Sequence, residues 1–375
     1  MPHAPRGASA ARRKTALKKT GRKSVRRKGA AVTIDDVAAL AKVSAMTVSR
    51  VVNGHSKVRD ATRERVMAAV RELGYIPNLA ASSLAAAQDA RIALIYTNPS
   101  AGYLRELLLG ALRGSARTAA QLVIDDWDEL DVGGERKAAR ALAKSVAGVI
   151  LPPPLCESKV VIEELVSAGV PVVAIASGRF NHDISSVRID DYLASKEVTE
   201  HLIRMGHARI AFIKGHPNQT ASARRFEGYQ AALKDAGIAY DASLVQQGYF
   251  TYRSGLEAVE HLLSLRKPPT AIFASNDDMA AAAISVAHRR GLDVPRDLSI
   301  VGFDDTSAAT TVWPELSTVR QPIASMADSA IDILQRAIRR KDTETKVVVD
   351  HVVAHQLIKR DSVAPPVGAG TKPKG

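Results

Sequence analysis

From Arg91 onward the chain alternates short apolar runs with longer amphipathic segments, and few folds accept that pattern. The runs "RIALIYT", "QLVIDDW", "GVILP", "PVVAIAS", "RIAFIKG", "TAIFASN" and "LSIVGFDD" have the length and β-branched content of strands buried on both faces. Between them, segments such as "YLRELLLGALRGSARTAA" and "DDMAAAAISVAHRRG" carry helical spacing. Parallel strands must be joined by crossovers, usually helices, so the alternation predicts right-handed βαβ units with both sheet faces covered. The stretch is longer than one usual domain, so two α/β lobes are expected. In open sheets of this kind ligands settle beyond the carboxyl ends of the strands. The polar residues there are Asn98 and Ser100, Ser177, Asn276 with Asp277, and Asp304 with Asp305. Such residues suit a hydroxylated small molecule, because each hydroxyl both donates and accepts.

Residues 31–75 read differently. Thr33 with Asp36 three positions later opens a helix in capping-box fashion, and Val37, Ala38 and Leu40 give that helix an apolar stripe. "KVS" makes a tight turn, and Ser44 caps a second helix running to about Val52. A third helix, Asp60 to Leu73, buries Val66, Ala69, Val70 and Leu73, and Gly74 supplies its left-handed end. Two short helices joined by such a turn and braced by a third make a helix-turn-helix, whose second helix fits the major groove. Its outer face carries small and polar residues where a solvated helix would carry Glu and Lys. Arg50 can fork onto a guanine, Ala45 and Met46 can touch thymine methyls, and Ser44, Thr47, Ser49 and Asn53 are short donors suited to phosphates. A small helical bundle that binds protein is the alternative.

Charge separates a tail from this body. The formal charge is +13, and eleven Lys and Arg residues fall before residue 31 with no acidic residue among them. Residues 1–30 therefore read as a disordered basic tail able to add nonspecific attraction to phosphates, or as a solubilising extension. It is not a secretory leader, because no apolar core follows the charges. Residues 76–88, "IPNLAASSLAAAQ", form a connector, 89–362 the two-lobed domain, and 363–375, rich in Pro and Gly, a disordered end. No run approaches a membrane span. The single Cys156 excludes a disulfide framework within the chain and suits a reducing, cytoplasmic interior. No phosphate-cradling GxxxxGK[ST], HExxH or CxxC occurs, and His201 and His207 are six apart, which is not helix-face metal spacing. The Asp pairs at 190–191, 277–278 and 304–305 lie at separate strand ends without a nucleophile signature, so neither catalysis, a metal nor a cofactor is expected.

A family resemblance sharpens these readings. "TIDDVAALAKVSAMTVSRVVNG", "TRERVMAAVRELGYIPN" and "AASSLA" resemble the DNA-binding head and hinge of the LacI/GalR family of bacterial repressors. "HLIRMGHARIAFIKG", "RRFEGY", "ASNDDMA", "VPRDLSIVGFDD" and "STVRQP" resemble that family's effector-binding core, in the family's order. The likeness spans residues 32 to about 362 and implies a two-lobed core of the periplasmic-binding-protein type behind a helix-turn-helix head and hinge helix. It also implies base reading by Ala45, Met46 and Arg50. Thr33, Ser44, Thr47, Ser49, Asn53 and Asn78 become backbone contacts, and Leu84 the minor-groove wedge. In the core it places Arg225, Asn276, Asp304 and Gln321 against effector, Phe250 where a ring stacks on a sugar, and Ser177 where some relatives carry Asp. Tyr103, just past the first strand, is expected to shape the cleft. The partners implied are a pseudo-palindromic duplex operator, a sugar-like effector and a second copy; without a C-terminal leucine heptad, a dimer is expected rather than a tetramer.

The sequence departs from the family in two places. Ser82 stands where the hinge usually carries Arg, and Arg59 where a Ser usually caps the third helix, leaving Asp60 as the expected cap. Both bear on affinity and operator sequence. The expected function is a sugar-responsive repressor. An activator or dual regulator, a purine-type corepressor system and a sugar-binding protein without an operator are the alternatives.

Overall fold

A computed structural model of the chain describes residues 32–52, 58–75, 91–97, 100–128, 130–339 and 347–367. The chain divides into two compact units, Met1–Ser82 and Ser83–Gly375. The basic tail, the connector 76–88 and residues 368–375 lie outside the described residues, as do the expected contacts Asn53, Asn78, Leu84 and Asn98.

In the first unit three helices, α1 (Ile34–Ala41), α2 (Ala45–Val52) and α3 (Asp60–Leu73), enclose a core of Val37, Ala38, Ala41, Val48, Val51, Val66 and Ala69. Val70 and Leu73 are only partly buried against it. Leu40, expected in the stripe of α1, is 41% exposed. At 100° per residue Ala41 falls between Val37 and Ala38, and Leu40 falls on the flank. The capping box of Thr33 and Asp36 is formed in both directions. The third helix begins differently from expectation. Its N-cap position is Arg59, which makes no side-chain cap bond, and Asp60 is already inside the first turn. There its charge still faces the positive end of the helix.

The second unit holds two six-stranded sheets. The first is built from β1 (Arg91–Tyr96), β2 (Gln121–Asp126), β3 (Gly148–Leu151), β4 (Val172–Ile175), β5 (Ser185–Arg188) and β11 (Asp350–Val352), in the order β11-β5-β4-β3-β1-β2. Every pairing in it is parallel. The second sheet comprises β6 (Ile210–Lys214), β7 (Val245–Gln247), β8 (Ala271–Ala274), β9 (Ser299–Asp304), β10 (Ser317–Arg320) and β12 (Gln356–Ile358), ordered β12-β10-β9-β8-β6-β7. Only β12 runs antiparallel. All seven expected strands are present. β5, β7, β10, β11 and β12 were not foreseen, because they are three or four residues long and all but β12 are mostly polar.

Alternate residues of each central strand feed different cores. In the first sheet Ile92, Leu94 and Ile150 meet α4 (Ala101–Thr118) and the late helix α12 (Ile323–Arg339), while Ala93, Ile95, Val149 and Leu151 face the opposite core. This two-sided burial explains why the parallel strands read as unbroken apolar runs. In the second sheet Phe212 and Phe273 pack on the face of α7 (Asp191–Arg204) and α8 (Thr220–Asp235); Ile213 and Ala274 face α10 (Asp277–Arg289). The chain crosses between the lobes three times, at 189–190, 321–322 and 353–355. Past β12 it remains anchored. Ala364 exchanges hydrogen bonds with Ser299, and its carbonyl also meets His207 Nε2 at 2.9 Å, so the ordered chain passes the expected end at 362.

The two helices behind the first sheet approach closely at Gly110, where an added Cβ would lie 2.0 Å from the carbonyl oxygen of Ala324. Backbone cannot yield as a side-chain tip can. Gly110→Ala is therefore expected to destabilise the second unit by roughly 2–3 kcal/mol, seen as a lower urea midpoint at unchanged slope.

Candidate DNA-reading face and effector cavity

On the first unit, Lys42 adopts φ 54° and turns the chain between α1 and α2. The Thr47 amide then donates to the Ser44 hydroxyl at 3.2 Å, and the two hydroxyls lie 2.9 Å apart. This fixes the start of α2. Val48 and Val51 point into the core, leaving Met46 (65% exposed), Ser49 and Arg50 together on the opposite face. Ala45 is half-buried and packs on the core, so its methyl is less presented than those of its neighbours. Thr33 and Ser44 are exposed, and Thr47 is half-exposed.

In the second unit a cavity lies among residues from both lobes: Ser100, Tyr103, Pro153, Ala176, Gln219, Ala221, Arg225, Phe250, Asn276, Asp304 and Gln321. Seven of the expected effector residues converge here. Ser177 does not reach the lining, although it is buried; its hydroxyl donates to the Arg179 carbonyl at 2.6 Å. Asn98 lies outside the described residues.

Arg225 is the centre of the site. Its Nε donates to Asp191 Oδ1 at 2.8 Å, another nitrogen to the Ser275 carbonyl at 2.5 Å, and its guanidinium lies 3.6 Å over the Phe303 ring. Asp304 stands 3.9 Å away and accepts from Gln321 Nε2 at 2.5 Å. Asn276 caps α10 through its Oδ1 and donates to the Phe250 carbonyl at 3.0 Å, tying the strand end to the backbone that carries the ring. Three lining residues other than glycine hold positive φ: Ala176 at 53°, Phe250 at 61° and Asp304 at 111°. A bulky side chain in that region is strained, and strain held at one cavity marks a built site. Two lining polar atoms, the Tyr103 hydroxyl and Gln321 Oε1, are buried without a hydrogen-bond partner among the described residues. Buried polar atoms normally find partners, so both point to a ligand.

The profile of bacterial regulatory proteins of the lacI family matches residues 33–78, and that of the periplasmic binding protein-like domain matches 199–363. Catabolite control protein A of Priestia megaterium is 36% identical over 319 residues, 84% of this chain and 96% of that protein. The regulator CelR of Thermobifida fusca is 35% identical, covering 88% of this chain and 98% of its own. The chain belongs to the lacI family. Among solved structures, a CelR–cellobiose complex superimposes with a TM-score of 0.66 at 33% identity, over 88% of this chain and 99% of that one. The lac repressor dimer bound to operator gives 0.67 at 28% identity, over 89% and 100%. This lacI-family protein is thus a transcriptional regulator with a DNA-binding and an effector-binding domain, and not an enzyme.

Other residues of the regulator's cavity were missed from sequence. Pro153, Gln219 and Ala221 sit in loops or at a helix start, with no pattern of their own. Asp191 was noticed only as half of an Asp pair, and nothing local announces that it partners Arg225, thirty-four residues away. Asp277, likewise one of a pair, is buried and accepts from the amide of Thr306 and the hydroxyl of Thr318. Asp305 turns away from the cavity to Arg320 and Arg360, both at 2.6 Å.

Burial pushes the Asp304 carboxyl up to about 7, with Arg225 pulling the other way, and the same burial raises Asp277 and Asp191. In the unfolded chain Asp304 loses its proton near the ordinary 3.8. Between that point and about 7 the native protein holds a proton that the unfolded chain has released. Stability therefore falls as pH rises through the window. Asp304→Asn is expected to make the decline shallower, measured as melting temperature between about pH 4.5 and 7.5.

Proposed function

We propose that the protein is a cytoplasmic, homodimeric repressor whose operator binding is governed by a sugar or sugar derivative in the cleft between its lobes. Two copies of α2 would enter successive major grooves of a pseudo-palindromic operator, with Arg50 forking onto guanine and Met46 against a thymine methyl. Thr33, Ser44, Thr47 and Ser49 would take phosphates, with Asn53 and Asn78 beside them and Leu84 as the minor-groove wedge. Ligand binding would shift the lobe geometry, and the connector would pass that shift to the heads as an affinity change of about 1–3 kcal/mol.

The observation that carries this reading is the convergence of Tyr103, Arg225, Phe250, Asn276, Asp304 and Gln321 on one cavity of a chain whose helix-turn-helix exposes Met46 and Arg50. Cellobiose in the CelR complex supports a sugar as ligand. The test begins with operator fragments selected from random duplexes by the purified chain. Sugars are then titrated while fragment anisotropy is followed. Release by a sugar supports induction, tightening supports corepression, and indifference to every sugar and purine counts against effector control.

A further inference from the structure

We propose that the effector is uncharged and meets the Asp304–Gln321 end of the cavity with hydrogen-bond donors, so that phosphorylated and carboxylated forms of the same molecule are rejected. The inference rests on the cavity being the effector site.

The open hydrogen-bonding capacity there is mostly that of acceptors. Above about pH 7 Asp304 is a carboxylate and can only accept, so the contact of its Oδ1 with Gln321 fixes the amide nitrogen on that side. Oε1 is then the unsatisfied end of the amide, and it is buried without a partner among the described residues. Asp304 Oδ2 adds a second acceptor, and the Tyr103 hydroxyl can serve in either role. Sugar hydroxyls satisfy such groups. Phosphate and carboxylate oxygens bring only more acceptors.

Charge acts in the same direction. Among the described residues Arg225 and Asp304 are the only charged ones lining the cavity, and Arg225 is already held by Asp191, by the Ser275 carbonyl and by the face of Phe303. Against a rejected anion one could set the helix starts at the cavity, for Ser100, Gln219 and Asn276 are the N-caps of α4, α8 and α10. Helix starts attract anions. Here the protein's own carboxylates answer them. Glu157, from the first lobe, accepts from both the amide and the hydroxyl of Thr220 at the start of α8. Asp277 and Asp278 lie in the first turn of α10, and Asp278 also bonds Ser100 at the start of α4. These three positive ends are thus compensated before a ligand arrives.

The test uses thermal unfolding of the full chain at constant ionic strength and about pH 8, where Asp304 is charged. Matched probes are glucose, glucuronate and glucose 6-phosphate; cellobiose; ribose and ribose 5-phosphate; adenosine and its monophosphate; and inorganic phosphate alone. Any probe that stabilises the protein is expected to be uncharged, with its anionic counterpart at least about tenfold weaker. Inorganic phosphate at about 10 mM is expected to do no more than chloride. A rise above about 2 °C with any of the anions, abolished in Arg225→Lys, overturns the proposal. If no neutral probe binds, the sugar reading of the site is what suffers, and an inert phosphate titration still supports exclusion of anions.

Discussion

Arg50→Ala is expected to weaken operator binding by about thirtyfold or more while leaving the fold and effector-induced stabilisation intact. A bidentate contact to guanine contributes roughly 1–3 kcal/mol of discrimination, and a two-fold operator uses the residue twice. The loss should therefore lie between roughly 2 and 6 kcal/mol per operator. Arg50 is exposed and outside the core formed by Val48, Val51 and their partners, so its truncation opens no cavity. Anisotropy titration of a selected operator against the variant, alongside its melting curve, reads both quantities. Because the residue reads a base, the variant should also bind operator and random duplex with similar affinity. A variant that loses affinity equally for every duplex would place Arg50 on the phosphates instead.

Arg225→Ala should have the largest effect on the second unit. It removes the cation from between Asp191 and Asp304, both nearly inaccessible to solvent. Breaking a buried pair by removing one partner costs about 3–5 kcal/mol, because the remaining charge is left uncompensated. For a domain this large that corresponds to a melting temperature lower by roughly 6–20 °C. The lost contact with the Ser275 carbonyl and the exposed face of Phe303 add to the damage. Arg225→Lys, which restores the charge but not the fork, should recover part of the stability and little of the ligand response. Asp191→Asn in the Arg225→Ala background should recover stability without ligand response, separating the two roles of the guanidinium.

How much of this was legible beforehand follows from the range of the forces involved. Helices α1 to α3 announce themselves by caps, turn and spacing, all local. The central apolar strands do so because both their faces are buried, whereas β2, also expected as a buried strand, lies at the sheet edge with Ile124 47% exposed. The short strands β5, β7, β10, β11 and β12 exist through pairing with neighbours already in place, and no local pattern encodes that. Leu40 shows the limit of reading a stripe by eye, since a shift of one residue turns a helix by 100°. In the cavity, Asn276 and Asp304 were visible from strand ends, while Arg225, Phe250 and Gln321 needed the family likeness. The partner of Arg225 and the bond that Thr220 donates to Glu157 across the lobes are tertiary facts.

The most direct measurement is genome-wide footprinting of purified wild-type chain beside Arg50→Ala, repeated with whichever small molecule stabilises the protein. Discrete inverted-repeat footprints are expected with the wild type, absent from the variant and altered by the ligand. Protection spread evenly along the DNA, unchanged by Arg50→Ala and by every ligand, would contradict control of a sequence-reading helix by the cavity.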